Sequence, residues 1–158
     1  MKTLLCFILV ISTLTSSLPK TRNLDKMNEK ERNEYLIKYA TKVVKKHGPE
    51  YYRKEKPPVI NRIIVNEKND SISSGRMCRE HEGRAYYIVT FPHDPNYEYM
   101  HAGFAARVFF WADTGIAFTV MFGNGWGYTE IDQPEKYKNE KRVMPYKWED
   151  PKKYYYKH

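Results

Sequence analysis

One amphipathic segment followed by apolar runs with short spacers constrains the fold of this chain most. Across residues 27–47 the apolar positions recur at helical spacing with Lys and Glu between them, which predicts a long helix. Asn28 is the expected N-cap, with Glu31 three residues on. Gly48-Pro49 marks the expected end, since glycine accepts a left-handed cap and proline cannot continue the helical hydrogen bonds.

The apolar runs after this helix are rich in β-branched and aromatic residues, which predicts strands. The connections after the middle of the chain are short, and residues 112–115 between the last two runs are too few for the crossover of parallel strands, so antiparallel hairpins are expected. The prediction is an α+β fold, with one long helix packed on an antiparallel sheet of about four strands. The glycine-rich residues 123–127 are expected to form a turn. The predicted strands are Val59–Val65, Ala85–Phe91, Phe104–Trp111 and Ile116–Phe122.

The first residues have the pattern of a secretory signal peptide. Lys2 precedes the apolar stretch Leu4–Leu14, and small residues follow at 15–17. We therefore expect a signal peptide over 1–17, an extracellular mature protein and a short N-terminal segment over 18–27. Removal of Lys2 with the signal peptide would reduce the formal charge from +8 to +7.

Cysteine usage supports a fold without an internal disulfide. The chain has two cysteines, and Cys6 lies in the predicted signal peptide, so Cys78 alone would remain. Asn69-Asp70-Ser71 forms an N-glycosylation sequon in a polar stretch, which predicts a glycoprotein modified at Asn69. The stability of the mature domain is therefore expected to come from its apolar core.

The remaining positive charge is dispersed over the helix, a proline-containing connector and a Lys/Tyr-rich C-terminal tail at 132–158. Dispersed charge favours solubility over a phosphate-binding groove, so no nucleic acid partner is expected. Past the predicted signal peptide, no apolar run is long enough to span a membrane. The domain itself is expected to cover 28–131.

Two stretches carry a resemblance to a known family. Residues 83–89 have a glycine, two residues, a tyrosine pair and an apolar strand, and residues 104–109 have an aromatic, x, Ala, basic, Val, aromatic pattern. In this order after a helix, they resemble the cystatin/monellin superfamily over roughly residues 28–122. The resemblance implies a cystatin-like domain that binds a protein partner through its hairpin loops, with a papain-like cysteine peptidase as the partner class.

The resemblance also indicates candidate partner-binding residues. Inhibitory cystatins have Gln-x-Val-x-Gly in the first hairpin loop and a Pro-Trp pair in the second. Only the glycine of the first motif is present here, and Trp111 precedes the dipeptide at the position of the second. The candidate binding residues are Arg79, Glu80, His81, Glu82, Gly83, Trp111, Ala112 and Asp113. No complete catalytic set, cofactor motif or metal-ligand spacing is found, so a monomeric, non-enzymatic binding protein is expected.

Two alternatives remain open at this stage. A secreted basic ribonuclease would need an acid, a base and a phosphate-binding cation in one pocket. The residue types available for that chemistry are His81, Glu82, Arg84, His101 and Arg107. The other alternative is an extracellular structural or storage protein without a specific partner.

Overall fold

A computed structural model describes residues 21–66, 80–96 and 98–131 as one helix on a five-stranded antiparallel sheet. Helix α1 spans Glu29–His47, and the strands lie in chain order β1-β2-β3-β4-β5 across the sheet. The predicted α+β class is confirmed, with one strand more than the sequence indicated. The strands are β1 Val59–Ile64, β2 Ala85–Phe91, β3 Ala106–Trp111, β4 Ala117–Phe122 and β5 Gly127–Thr129.

The two ends of α1 differ in how well the sequence predicted them. The side chain of Asn28 accepts a hydrogen bond from the Glu31 N–H at 3.0 Å, so the predicted N-cap is confirmed. Gly48 follows the helix, but its φ of −163° is extended and not left-handed, so the predicted reason for a glycine there is wrong. The physical reason is packing, because a Cβ at Gly48 would lie 2.5 Å from the ring of Phe122.

One face of the sheet packs against α1 and forms the main core. Leu36, Ala40 and Val44 project from the helix at helical spacing and are buried against this face. The sheet side chains opposite them include Val89, Val108, Phe110, Val120 and Phe122. Burial of each large apolar side chain contributes roughly 1.5–3 kcal/mol, which explains why the period of the helix and the alternation of the strands determine the fold.

The second face of the sheet carries its own aromatic cluster. Tyr86, Phe109, Trp111 and Phe118 are buried there and contact one another. Phe118 reaches this face because the β3–β4 register shifts between Phe109 and Phe110, which leaves Phe118 without a direct partner on β3. A bulge of this kind redirects one side chain relative to simple alternation.

Several predictions fall on residues outside the described ranges. These are the signal peptide at 1–17, the sequon at Asn69, the thiol of Cys78, candidate binding residue Arg79 and the tail at 132–158. Within the described ranges, α1 is the one long helix, and it is too polar to cross a membrane.

Candidate protein-binding surface

The two predicted loops meet at one end of the sheet. Strand β2 begins and β3 ends at this end, where Tyr86 is opposite Trp111 in the antiparallel register. The N–H of Ala112 also donates to the carbonyl of Ala85 at 3.0 Å. The end of the β1–β2 connection and the β3–β4 hairpin therefore lie side by side. We call Arg22, residues 80–84 and residues 111–115 the apical surface.

Arg84 joins the two loops directly. Its guanidinium donates to both carboxylate oxygens of Asp113, at 3.1 Å from Nε and 2.9 Å from Nη2. The same guanidinium carbon lies 3.8 Å from the centre of the Trp111 ring. A bidentate ion pair and a cation–π contact fix one planar group in one orientation, so the two loops present a single surface.

Trp111 supports this surface from below. Its indole stacks on Phe118 at 3.9 Å with an interplanar angle of 13°, and the His81 ring lies 4.8 Å from it. Trp111 is 5% exposed and Ala112 is 2% exposed, so these two candidates shape the surface and do not form its outer layer. The sequence could not show this, because the bulge that brings Phe118 under the indole is a tertiary feature. The exposed candidates are Glu80, Glu82, Gly83 and Asp113.

The segment before α1 forms a third part of the apical surface, which sequence reasoning missed. The N–H of Arg22 donates to the Thr114 carbonyl at 2.8 Å, and that of Leu24 donates to the Ala112 carbonyl at 2.7 Å. Gly115 has a φ of +68°, and a Cβ there would lie 2.9 Å from the Arg22 carbonyl oxygen. Glycine is thus required both by the turn and by the close approach. These backbone contacts leave no pattern in the sequence.

Asp25 anchors this segment to the sheet. Its carboxylate accepts two hydrogen bonds from Arg62, at 3.0 and 2.8 Å, and one from the Tyr87 hydroxyl at 2.8 Å. The bonds from Arg62, with the one from Tyr87, outweigh partial burial and hold the pKa of Asp25 below its ordinary value of 3.8. Asp25 is therefore ionised at neutral pH and fixes the position of the chain that leads to Arg22.

The residues of the ribonuclease alternative are not brought into one pocket. His81, Glu82 and Arg84 belong to the apical end, whereas His101 lies in the β2–β3 connection at the opposite, basal end. Arg107 packs over the Phe104 ring at 4.1 Å, and it is separated from Trp111 along β3 by about 13 Å at the usual strand rise. Within the described part of the chain, no group of three or more His, Cys, Asp or Glu side chains could hold a metal ion.

Comparisons with known proteins yield no relative for this chain: no family model, no curated protein and no solved structure matches it. The class that the fold defines is an α+β domain with one helix on a five-stranded antiparallel sheet. The resemblance to the cystatin/monellin superfamily is carried by the two sequence stretches named above and stays a prediction.

Proposed function

We propose that this chain is a secreted binding protein that engages a protein partner through the apical surface, and that a papain-like cysteine peptidase is the first partner to test. The observation that carries the proposal is Arg84, which bonds to Asp113 and stacks on Trp111, and so unites the two loops. The secreted location is inferred from the signal-peptide pattern of residues 1–17.

The apical surface is organised before any partner binds. Its loops are joined to β2, β3 and the segment before α1 by backbone hydrogen bonds of 2.7 to 3.0 Å. A surface held by a sheet loses less conformational entropy on association than a mobile loop would. Arginine is also among the residue types that most often dominate binding energy at protein interfaces. These features favour a binding role.

The charges of the surface constrain the partner. Glu80, Glu82 and Asp113 are exposed, and Arg22 and Arg84 lie beside them. Transfer of these charges into an apolar cleft would be costly unless each one met a complementary group. We therefore propose a partner whose contact surface carries both cationic and anionic side chains.

Replacement of Arg84 by alanine is expected to weaken binding of a papain-like peptidase by about ten-fold or more, because it removes both links between the loops. Asp113→Ala should weaken binding in the same direction. The double variant should show less than the sum of the two effects, because the two side chains contact each other. Inhibition constants and binding titrations against papain-like enzymes measure both effects.

Tyr99→Ala is the matched control, because Tyr99 is 54% exposed and lies in the β2–β3 connection at the basal end. The affinity of Tyr99→Ala for the peptidase should equal that of the wild type. Absence of inhibition at micromolar protein would reject the peptidase as partner. Binding that is unaffected by Arg84→Ala but lost with Tyr99→Ala would place the partner at the basal end and reject the apical surface.

A further inference from the structure

Strand β1 lies at an edge of the sheet and is exposed there. No strand in the described ranges pairs with its outer side. Val59 is 54% exposed and Ile64 is 46% exposed, and Asn61 and Arg62 between them are also exposed. An edge that exposes apolar side chains and main-chain hydrogen-bonding groups is a template for pairing with another strand.

The hydrogen bonds at the end of β1 show which of its main-chain groups point outward. Val65 donates to the Arg84 carbonyl and accepts from the Gly83 N–H, both at 2.9 Å, so both of its groups are directed at β2. In an antiparallel pair this direction alternates from residue to residue. Ile60, Arg62 and Ile64 therefore direct their N–H and C=O groups away from the sheet, and these groups are available for a further strand.

We propose that β1 pairs antiparallel with β1 of a second copy of this chain, about a two-fold axis at Asn61. In this register Ile60 of one copy exchanges two main-chain hydrogen bonds with Arg62 of the other, and the reverse pair repeats them. Asn61 faces Asn61 of the second copy, and Val59 faces Ile63. The two sheets then form one continuous sheet.

The pattern of β1 favours this register. A two-fold axis perpendicular to the sheet keeps the second face of both copies on the same side, so Val59 of one copy extends the aromatic cluster against which Ile63 of the other already packs. A register centred on Arg62 would place two guanidinium groups directly opposite each other, which is unfavourable. In the proposed register Arg62 faces Ile60, and its charge is met by Asp25 in its own chain.

A second copy fits this edge because the register about Asn61 places the apolar Val59 of each copy against the apolar Ile63 of the other and sets no like charges directly opposite each other. Pro57 and Pro58 precede β1 and have no N–H to donate, so the ladder stays short. A short ladder makes the association weak, so dimer formation should depend on protein concentration, in contrast with the monomer expected from the sequence. Antiparallel pairing directs the two apical surfaces in opposite directions, so the dimer would present two binding surfaces.

Sedimentation equilibrium over a concentration series tests the proposal, with Asn61→Asp and Asn61→Lys as variants. Either substitution places two like charges opposite each other at the two-fold axis, and each should raise the dimer dissociation constant about five-fold. If Asn61 instead faced a fixed charge on another part of the second copy, the two variants would change the dissociation constant in opposite directions, which would overturn the proposed register. A wild-type chain that stays monomeric up to about 1 mM, the weakest end of specific association, would overturn the proposal. A dimer indifferent to both variants would also overturn it.

Disulfide trapping tests the register independently, in a Cys78→Ser background. Residues that face each other in a non-hydrogen-bonded antiparallel pair have Cα atoms about 4.5 Å apart, which a disulfide can join. Asn61→Cys should therefore form a covalent dimer under mild oxidation at least about ten-fold faster than Thr129→Cys, which is exposed on the opposite edge strand β5. Equal rates for the two variants would reject pairing through β1.

Discussion

Replacement of Gly123 by alanine is expected to destabilise the domain by about 3 kcal/mol. A Cβ at this position would overlap the carbonyl oxygen of Phe104 and lie within 2.8 Å of the Met100 Sδ. The main chain cannot easily move away, because Gly123 donates to Ala105 at 2.9 Å and accepts from Ala102 at 3.0 Å. Urea unfolding followed by tryptophan fluorescence measures the loss.

Gly125→Ala is the control for this prediction, two residues further along. Gly125 has a φ of +93°, but no atom lies within 4 Å of the position of its added Cβ. Gly125→Ala should therefore lower the free energy of unfolding only by the cost of holding a non-glycine residue in a left-handed backbone conformation, about 1 to 2 kcal/mol. If Gly123→Ala were no less stable than Gly125→Ala, the close approach of the β4–β5 turn to the Phe104 carbonyl would be disproved.

Local signals explain which parts of the fold could be predicted from the sequence. The helix was predictable because its apolar period and the Asn28 cap lie within one segment. Strand β5 was not, because its three residues show a single partly buried side chain, Tyr128, between two exposed residues, Gly127 and Thr129. Its place in the sheet depends on pairing with β4, which no local pattern encodes.

The apical surface was predictable in parts and not as a whole. The loops could be identified one by one, but their contact follows from the pairing of Tyr86 with Trp111. The burial of Trp111 follows from the β4 bulge that places Phe118 beneath it. Arg84 was named from the sequence only for the ribonuclease alternative and not as a binding residue, whereas the docking of Arg22 and Leu24 uses backbone atoms only and leaves no sequence signal.

The basal end holds a buried ion pair whose disruption should match the effect of Gly123→Ala. Glu98 is 4% exposed, and its carboxylate accepts hydrogen bonds from Arg53 and from the Asp94 N–H at 3.0 Å. Arg53 also donates to the Glu50 carbonyl at 2.7 Å, so it ties the chain after α1 to the β2–β3 connection. Arg53→Ala should destabilise the domain by about 3 kcal/mol at neutral pH, because it leaves a buried carboxylate without its cation.

The pH dependence gives this prediction a second readout. Burial alone would raise the pKa of Glu98, but the bonds from Arg53 and Asp94 outweigh it and hold the pKa below the ordinary value of 4.5. A depressed pKa contributes stability above the unfolded value and loses it as pH falls through the folded value. Wild-type stability should therefore decline below about pH 4.5. Arg53→Ala removes the bonds from Arg53 that lower the pKa of Glu98 while the burial that raises it remains, so the pKa should be higher than in the wild type and the variant should gain stability relative to wild type as pH falls.

The difference in the free energy of unfolding between the wild type and Arg53→Ala should consequently be largest at neutral pH and shrink in acid. Unfolding curves recorded between pH 7 and pH 3, at intervals of about one unit, measure this difference. Lys56→Ala is the control, since Lys56 pairs with Asp94 at 3.3 Å in an exposed setting, and its loss should change the free energy of unfolding much less than Arg53→Ala does. A pH-independent loss in Arg53→Ala would show that lost packing, and not the uncompensated charge of Glu98, is the cause. Because this pair lies at the basal end, the folded variant should bind an apical partner as the wild type does, which separates stability at one end of the sheet from recognition at the other.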